Sequence, residues 1–402
     1  VSMRVVLIFI ILLMAMEMVM VMATFTLAQP PGVAAPQKWS VAGYVKLLAL
    51  AGHVESADSS SNFLLHQRFN VEYRPSRQLR FAAALRNRLY LGDTLSIDGF
   101  AQQVGSDGGA IDLTSNWLER GDVLATSTID RLYFDWRSDQ YRVRLGRHRI
   151  NWGMATRWNP NDLFNSYSVY DLDYEERSGS DALLVSRRFG FASRLELAWA
   201  VRDPFSQGSE HSVAARYLFN VNPYDLQLVI GDIEDDYVLG CGFAGSLGGA
   251  GLRGEMSYFA PQHQQYHGMD RHSVIVATLE SDYSWGGRRN LLAGASLLYV
   301  SHTPDEQMVS SLFLQPSSAR NLSFTRWTAS VDISFEITAL SRQALGLSYY
   351  DDDSYYLFAT NAISLSDNFE LQLVLQHFNG AASSRFGRQP NTLGYARLRW
   401  SF

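Results

Sequence analysis

The groups best able to handle charge lie between residues 141 and 181. Arg142, Arg144, Arg147, His148 and Arg149 crowd one short stretch, and Asn151, Arg157 and Asp162 follow it closely. Guanidinium groups stay protonated at any relevant pH and grip carboxylates or phosphates through paired N–H donors. Downstream, Asp171, Asp173, Glu175, Glu176 and Asp181 supply the opposite sign. Facing cationic and anionic side chains are how wide aqueous pores set size and charge selectivity. Nucleophilic and metal chemistry find less support. No Gly-x-Ser-x-Gly elbow and no His-Glu-x-x-His helix occurs, and His66, His148, His211 and His377 are scattered. His263, His267 and His272 share a Gln-rich loop in which nothing enforces a ligand geometry. The one cysteine, Cys241, rules out an intrachain disulfide and argues against a Cys-based metal centre. The reading at this level is no enzyme, no metal and no cofactor.

Groups placed in such a row need strands behind them. In 131–136, Leu132, Phe134 and Trp136 alternate with Arg131, Tyr133 and Asp135; in 395–402, Ala396, Leu398, Trp400 and Phe402 alternate with Tyr395, Arg397, Arg399 and Ser401. Successive strand residues point to opposite faces, so each segment has one apolar and one charged face. The run 140–152 reads as a strand whose parity breaks: Val143 and Leu145 share one parity, Ile150 and Trp152 the other. A bulge near Gly146 would return both pairs to the outer face and turn Arg147, Arg149 and Asn151 inward with Arg142 and Arg144. The loop after it carries Trp158, Leu163 and Phe164 around Asn159-Pro160-Asn161-Asp162. It is too apolar for free solvent, and it reads as folded back among the strands, its acids meeting the arginines. Arg131, Asp135, Arg397 and Arg399 complete the predicted lumenal lining.

Connections along the chain alternate in length. Tight turns at Pro75-Ser76-Arg77, Ser138-Asp139, Phe189-Gly190, Asn222-Pro223, Gly248-Gly249, Gly286-Gly287 and Ser366-Asp367 are separated by long polar loops such as 92–126, 153–178, 260–271 and 302–324. Long loops at one end and short turns at the other define an up-and-down transmembrane barrel. The pattern predicts an all-β, antiparallel β-barrel of about 18 strands, with about 16 also compatible. Twenty Tyr, 22 Phe and nine Trp suit the aromatic girdles of such a wall. The net charge of −6 includes no basic stripe for nucleic acid. Acidic tips such as Asp351-Asp352-Asp353 read as solvated loop ends.

Residues 1–28 read as a signal peptide: Met3-Arg4, an apolar run from Val5, and Thr26-Leu27-Ala28 before Gln29. Residues 29–37 then form a short periplasmic leader, and 38–402 the barrel. No room is left there for a globular plug.

The closing Tyr395-Ala396-Arg397-Leu398-Arg399-Trp400-Ser401-Phe402 resembles the assembly signal of Gram-negative outer-membrane barrels. That resemblance implies an outer-membrane location, contact with lipid and lipopolysaccharide, and handling by the barrel-assembly machinery through the strand ending in Phe402. Gly146-Arg147-His148-Arg149-Ile150-Asn151-Trp152-Gly153 with Trp158-Asn159-Pro160-Asn161-Asp162 resembles a motif of porin-like barrels similar in style to alginate-export porins. It implies passive or mildly selective passage of small or polyanionic solutes. A homotrimer is compatible with the Gly-rich strands 236–260. Two other readings stay open: a non-transporting barrel that offers its loops as a scaffold or adhesin, and a barrel hydrolase with residues on separate strands.

Overall fold

Alternation of inward and outward side chains governs the computed structural model, which describes residues 37–54, 59–166, 179–203, 209–303 and 318–402. The strands in chain order are β1 (Trp39–Val54), β2 (Ser60–Tyr73), β3 (Leu79–Gly92), β4 (Thr114–Arg120), β5 (Val123–Arg137), β6 (Tyr141–His148), β7 (Ser180–Phe189), β8 (Ser193–Arg202), β9 (Glu210–Val221), β10 (Tyr224–Ile233), β11 (Asp236–Leu247), β12 (Ala250–Pro261), β13 (Gln265–Tyr266), β14 (Met269–Asp270), β15 (Val274–Trp285), β16 (Leu291–Val300), β17 (Trp327–Thr338), β18 (Ser341–Tyr350), β19 (Ser354–Ser364), β20 (Phe369–Gly380) and β21 (Asn391–Ser401). All but β4, β13 and β14 form one wall of 18 antiparallel strands, each bonded to its neighbour in sequence order. The wall closes where β1 pairs with β21, Tyr44 opposite Ser401 and Val54 opposite Asn391. Closure removes the exposed sheet edges. At the seam, the Phe402 N–H donates to Gly43 O and the Gly43 N–H donates to Phe402 O, both at 3.0 Å. Gly43 is required there, because a Cβ would meet Arg68 O and the Phe402 ring.

Parity follows the sequence reading. On β8, Leu197 is 51% exposed and Glu196 only 6%. Leu132, Leu228, Leu239, Leu279, Val331, Leu357 and Leu375 continue the outer apolar belt around the wall. An apolar exterior on a closed barrel is what a bilayer solvates. All the tight turns predicted from sequence lie at one end, joined there by the short turn between Thr338 and Ser341.

Besides the small hairpin of β13 and β14 inside the expected loop 260–271, the structure departs from the predicted strands at two places. The region 92–126 is more than a loop: it contains a short helix, Phe100–Gly105, and β4, which pairs with the upper part of β5. The predicted strand 140–152 stops at His148, and no bulge interrupts its pairing with β5 or β7. Gly146 keeps register with φ +111°. Ile150 and Trp152 do not return to the outer face; they are buried inside. Beyond His148 the chain leaves the wall, and β4 supplies the partner that the upper half of β5 would otherwise lack. An apolar pair of the wrong parity marks the exit of the strand here.

Candidate functional site

Residues 149–166 fold into the barrel and lie along the inner face of β7 to β16. Ile150, Trp152, Trp158 and Leu163 are buried against Ala182, Leu184, Ala198, Ala200, Ala214, Val229, Val238, Phe259, Val274, Val276 and Leu298. Those wall residues point inward yet are apolar, because they meet the loop instead of water. Full burial of each large apolar side chain contributes roughly 1.5–3 kcal/mol, which is what holds the segment inside.

Polar groups fix its register. One oxygen of Glu255, on β12, accepts the Ala155 N–H at 2.6 Å and also the Met154 N–H. The other accepts the Asn161 N–H at 3.0 Å. Glu280, on β15, accepts the Thr156 N–H at 2.7 Å, the Thr156 hydroxyl at 2.8 Å and the Arg157 N–H at 2.8 Å. Arg157 then reaches Asp332 on β17 at 2.6 Å. Asn161 is wholly buried and donates to Cys241 O at 2.9 Å. Its amide occupies space that Gly240 and Gly242 leave open; a Cβ on Gly240 would stand 2.5 Å from Asn161 Oδ1. Cys241, between them, takes the outward parity of Tyr237 and Leu239. Asp162 is wholly buried within the same turn, and Asn151 is exposed, its Oδ1 accepting the Gly153 N–H at 3.2 Å.

The remaining predicted residues fall into separate groups. Asp135, wholly buried on β5, gathers Arg142 at 2.6 Å, Arg144 at 2.8 Å, Arg80 at 3.1 Å and Arg137 at 3.2 Å. The Tyr133 ring lies 4.7 Å from the Arg144 guanidinium. Arg147 belongs to another cluster. Its Nε and Nη2 donate to Asp181 at 2.7 Å, Nη1 donates to Asp107 at 2.6 Å and Ile129 O at 3.4 Å, and Nη2 donates to Ile111 O at 2.6 Å. All five N–H groups are thus engaged, with 4% of the residue exposed. The knot ties the segment before β4 to β6 and β7. Arg149 follows in the half-buried first residues of the loop. Arg131 donates to Asp130 O at 2.6 Å, Arg397 pairs with Glu370 at 3.4 Å, and Arg399 stacks 4.7 Å from the Tyr44 ring. Asp173, Glu175 and Glu176 lie outside the described residues, as does Asp171.

Charge is divided unevenly around the wall. Six adjacent strands, β21, β1, β2, β3, β5 and β6, carry Arg397, Arg399, Lys46, Arg68, Arg80, Arg86, Arg88, Arg131, Arg137, Arg142, Arg144 and Arg147. Against these twelve cations they hold only Glu72, Asp130 and Asp135. Across the lumen Glu196, Glu255, Glu280, Asp282 and Asp332 stand with Arg194, Arg216 and Arg253. Glu255, Glu280 and Asp332 were not singled out in sequence; the only trace was an acid at inward parity on each of β12, β15 and β17.

At the mouth, Glu210 accepts the Tyr266 hydroxyl at 2.8 Å and lies 2.7 Å from His267. Burial and this acidic partner push the Tyr266 phenol above its ordinary value. Arg271 and Arg320 both reach Asp236 at 2.8 Å. The long loops are therefore tied together above the infolded segment. Among the described residues no group of three or more His, Cys, Asp or Glu side chains could hold a metal ion.

No protein-family model and no curated protein matches the chain. Solved structures do. OpdQ of Pseudomonas aeruginosa superposes with a TM-score of 0.58 at 7% identity, over 91% of this chain and 99% of that one. OccAB1 of Acinetobacter baumannii gives 0.58 at 9% identity, over 93% and 99%. A BenF-like porin from Pseudomonas fluorescens Pf-5 gives 0.56 at 9% identity, over 91% and 99%. The fold is that of a Gram-negative outer-membrane porin. The porin likeness spans nearly the whole barrel, and at this identity it concerns the architecture alone.

Proposed function

We propose that this porin-like barrel sits in the outer membrane and gives small or polyanionic solutes passive or mildly selective passage, with no catalytic role. The observation that carries the reading is the segment 149–166, which narrows the lumen from the acidic side and leaves the cationic side across from it. In this reading Arg142, Arg144, Arg131, Arg397 and Arg399 line the path, and Arg157 and Asp332 mark the narrow point. Arg147 and Asp162, bonded or buried throughout, hold the frame. The apolar exterior supports lipid contact, and the strand ending in Phe402 supports handling by the assembly machinery.

The test is single-channel conductance of the refolded protein in a planar bilayer, with the reversal potential measured across a salt gradient. The wild type is expected to show stable open steps and anion preference. Arg142→Ala with Arg144→Ala leaves Arg80 and Arg137 on Asp135. It is expected to lower the anion-over-cation permeability ratio on the order of two-fold, about 0.4 kcal/mol. A folded barrel with no conductance would remove the channel reading and favour a scaffold.

A further inference from the structure

The infolded segment does a second task besides narrowing the lumen. We infer that it is an electrostatic cover: it hides the carboxylates of β12 and β15 from solutes in transit, so that Glu255 and Glu280 set selectivity through the loop they hold. This rests on the channel reading above.

Four observations support it. Among the described residues Glu196 pairs with Arg216 at 2.6 Å, Asp282 with Arg253 and Asp332 with Arg157, whereas Glu255 and Glu280 have no ion-pair partner. Their oxygens are instead occupied by N–H groups of residues 154–157 and 161, and by the Thr156 hydroxyl. Both glutamates are almost fully buried, at 3% exposure each. Finally, Gly240 and Gly242 leave the space into which Asn161 locks. A buried carboxylate needs such donors, and backbone N–H groups supply them without bringing a positive charge. The wall therefore keeps two carboxylates that a passing cation cannot touch while the loop is seated. Unseating the loop would hydrate both and turn them into a cation path opposite the arginines.

Two variants that both loosen the loop separate this from a purely steric role. Glu255→Gln with Glu280→Gln weakens the anchors and removes both charges. Gly240→Val evicts Asn161 and leaves both charges, while a β-branched residue suits the strand. Both are expected to raise conductance and the size cut-off for polyethylene glycols. Their reversal potentials should move in opposite directions, toward anions for the double glutamine and toward cations for Gly240→Val. Shifts in the same direction, or unchanged conductance in both folded barrels, would overturn the inference.

A second readout does not depend on conduction. In a Cys241→Ser, Met154→Cys background, labelling by a membrane-impermeant maleimide should be faster in both loosened variants. Equal labelling rates in all three proteins would overturn the latch even in a barrel that passes no current. A silent wild type with accelerated labelling would instead overturn the channel reading and keep the latch.

Discussion

Two arginine clusters differ in what each guanidinium can still do. Around Asp135, four cations share one buried carboxylate, so the group keeps a positive surplus, and Arg137 is about half exposed at 49% of its side chain. Around Arg147, one cation meets two carboxylates and two carbonyls, and no donor is left for a solute. Removing one partner from a buried pair costs about 3–5 kcal/mol, because the other charge is stranded. Exposed pairs are worth about 0–1 kcal/mol. Asp135→Asn should therefore cost about 3–5 kcal/mol, read as a lower urea midpoint for the barrel in liposomes. Arg137→Ala should cost less than about 1 kcal/mol by the same readout. Equal effects would mean that Asp135 is not the hub that the distances imply. Arg147→Ala belongs with Asp135→Asn: it should weaken the fold before it alters selectivity.

Strands were readable in sequence wherever one face met lipid and the other met water, as in 131–136 and 395–402. Where the inner face met protein the strands were still readable, but the character of that face was not. Ala182, Ala198, Ala200 and Ala214 are inward positions filled by small apolar residues, so alternation there no longer separates lumen from exterior. The end of β6 was misread for the same reason: Ile150 and Trp152 are apolar because they pack on the inner wall, and the bulge inferred near Gly146, which the pairing lacks, had assigned them to lipid. Glu255 and Glu280 escaped notice because their partners are backbone N–H groups about 95 to 125 residues away in the chain, which leave no side-chain signature. β4 was hidden inside a Gly-rich polar stretch, and its place beside β5 depends on contacts made far downstream. That dependence is testable. A Cβ on Gly109 would collide with the Arg147 guanidinium and stand 2.7 Å from Asp181 Oδ2. Gly109→Val should detach the segment before β4 from Arg147. Limited proteolysis of the folded barrel should then cut between residues 105 and 121 at least several-fold faster than in the wild type. An unchanged cleavage pattern would show that β4 holds its place through β5 alone.

At the scale of the whole molecule the barrel behaves as a dipolar tube, cationic along β21 to β6 and acidic across the lumen. Asp332, Asp282 and Glu196 are compensated by arginines, and Glu255 and Glu280 are covered. The six cationic strands have twelve basic residues and three acids, so their charge cannot be cancelled from within. A field of this kind acts on ions passing several ångströms away, which makes it sensitive to screening. The Debye length is about 10 Å at ~0.1 M salt and about 3 Å at ~1 M. If anion preference comes from the summed field of the wall, it should be strong at ~0.1 M and decay toward unity at ~1 M with the salt ratio across the bilayer held constant. If it came from direct binding at one bonded cluster, it would persist at high salt and the conductance would saturate. Reversal potentials taken at a constant ratio over that range distinguish the two. A preference that does not fall with salt would shift the explanation from the lumenal charge division to a discrete site, with the Asp135 arginines as the first place to mutate.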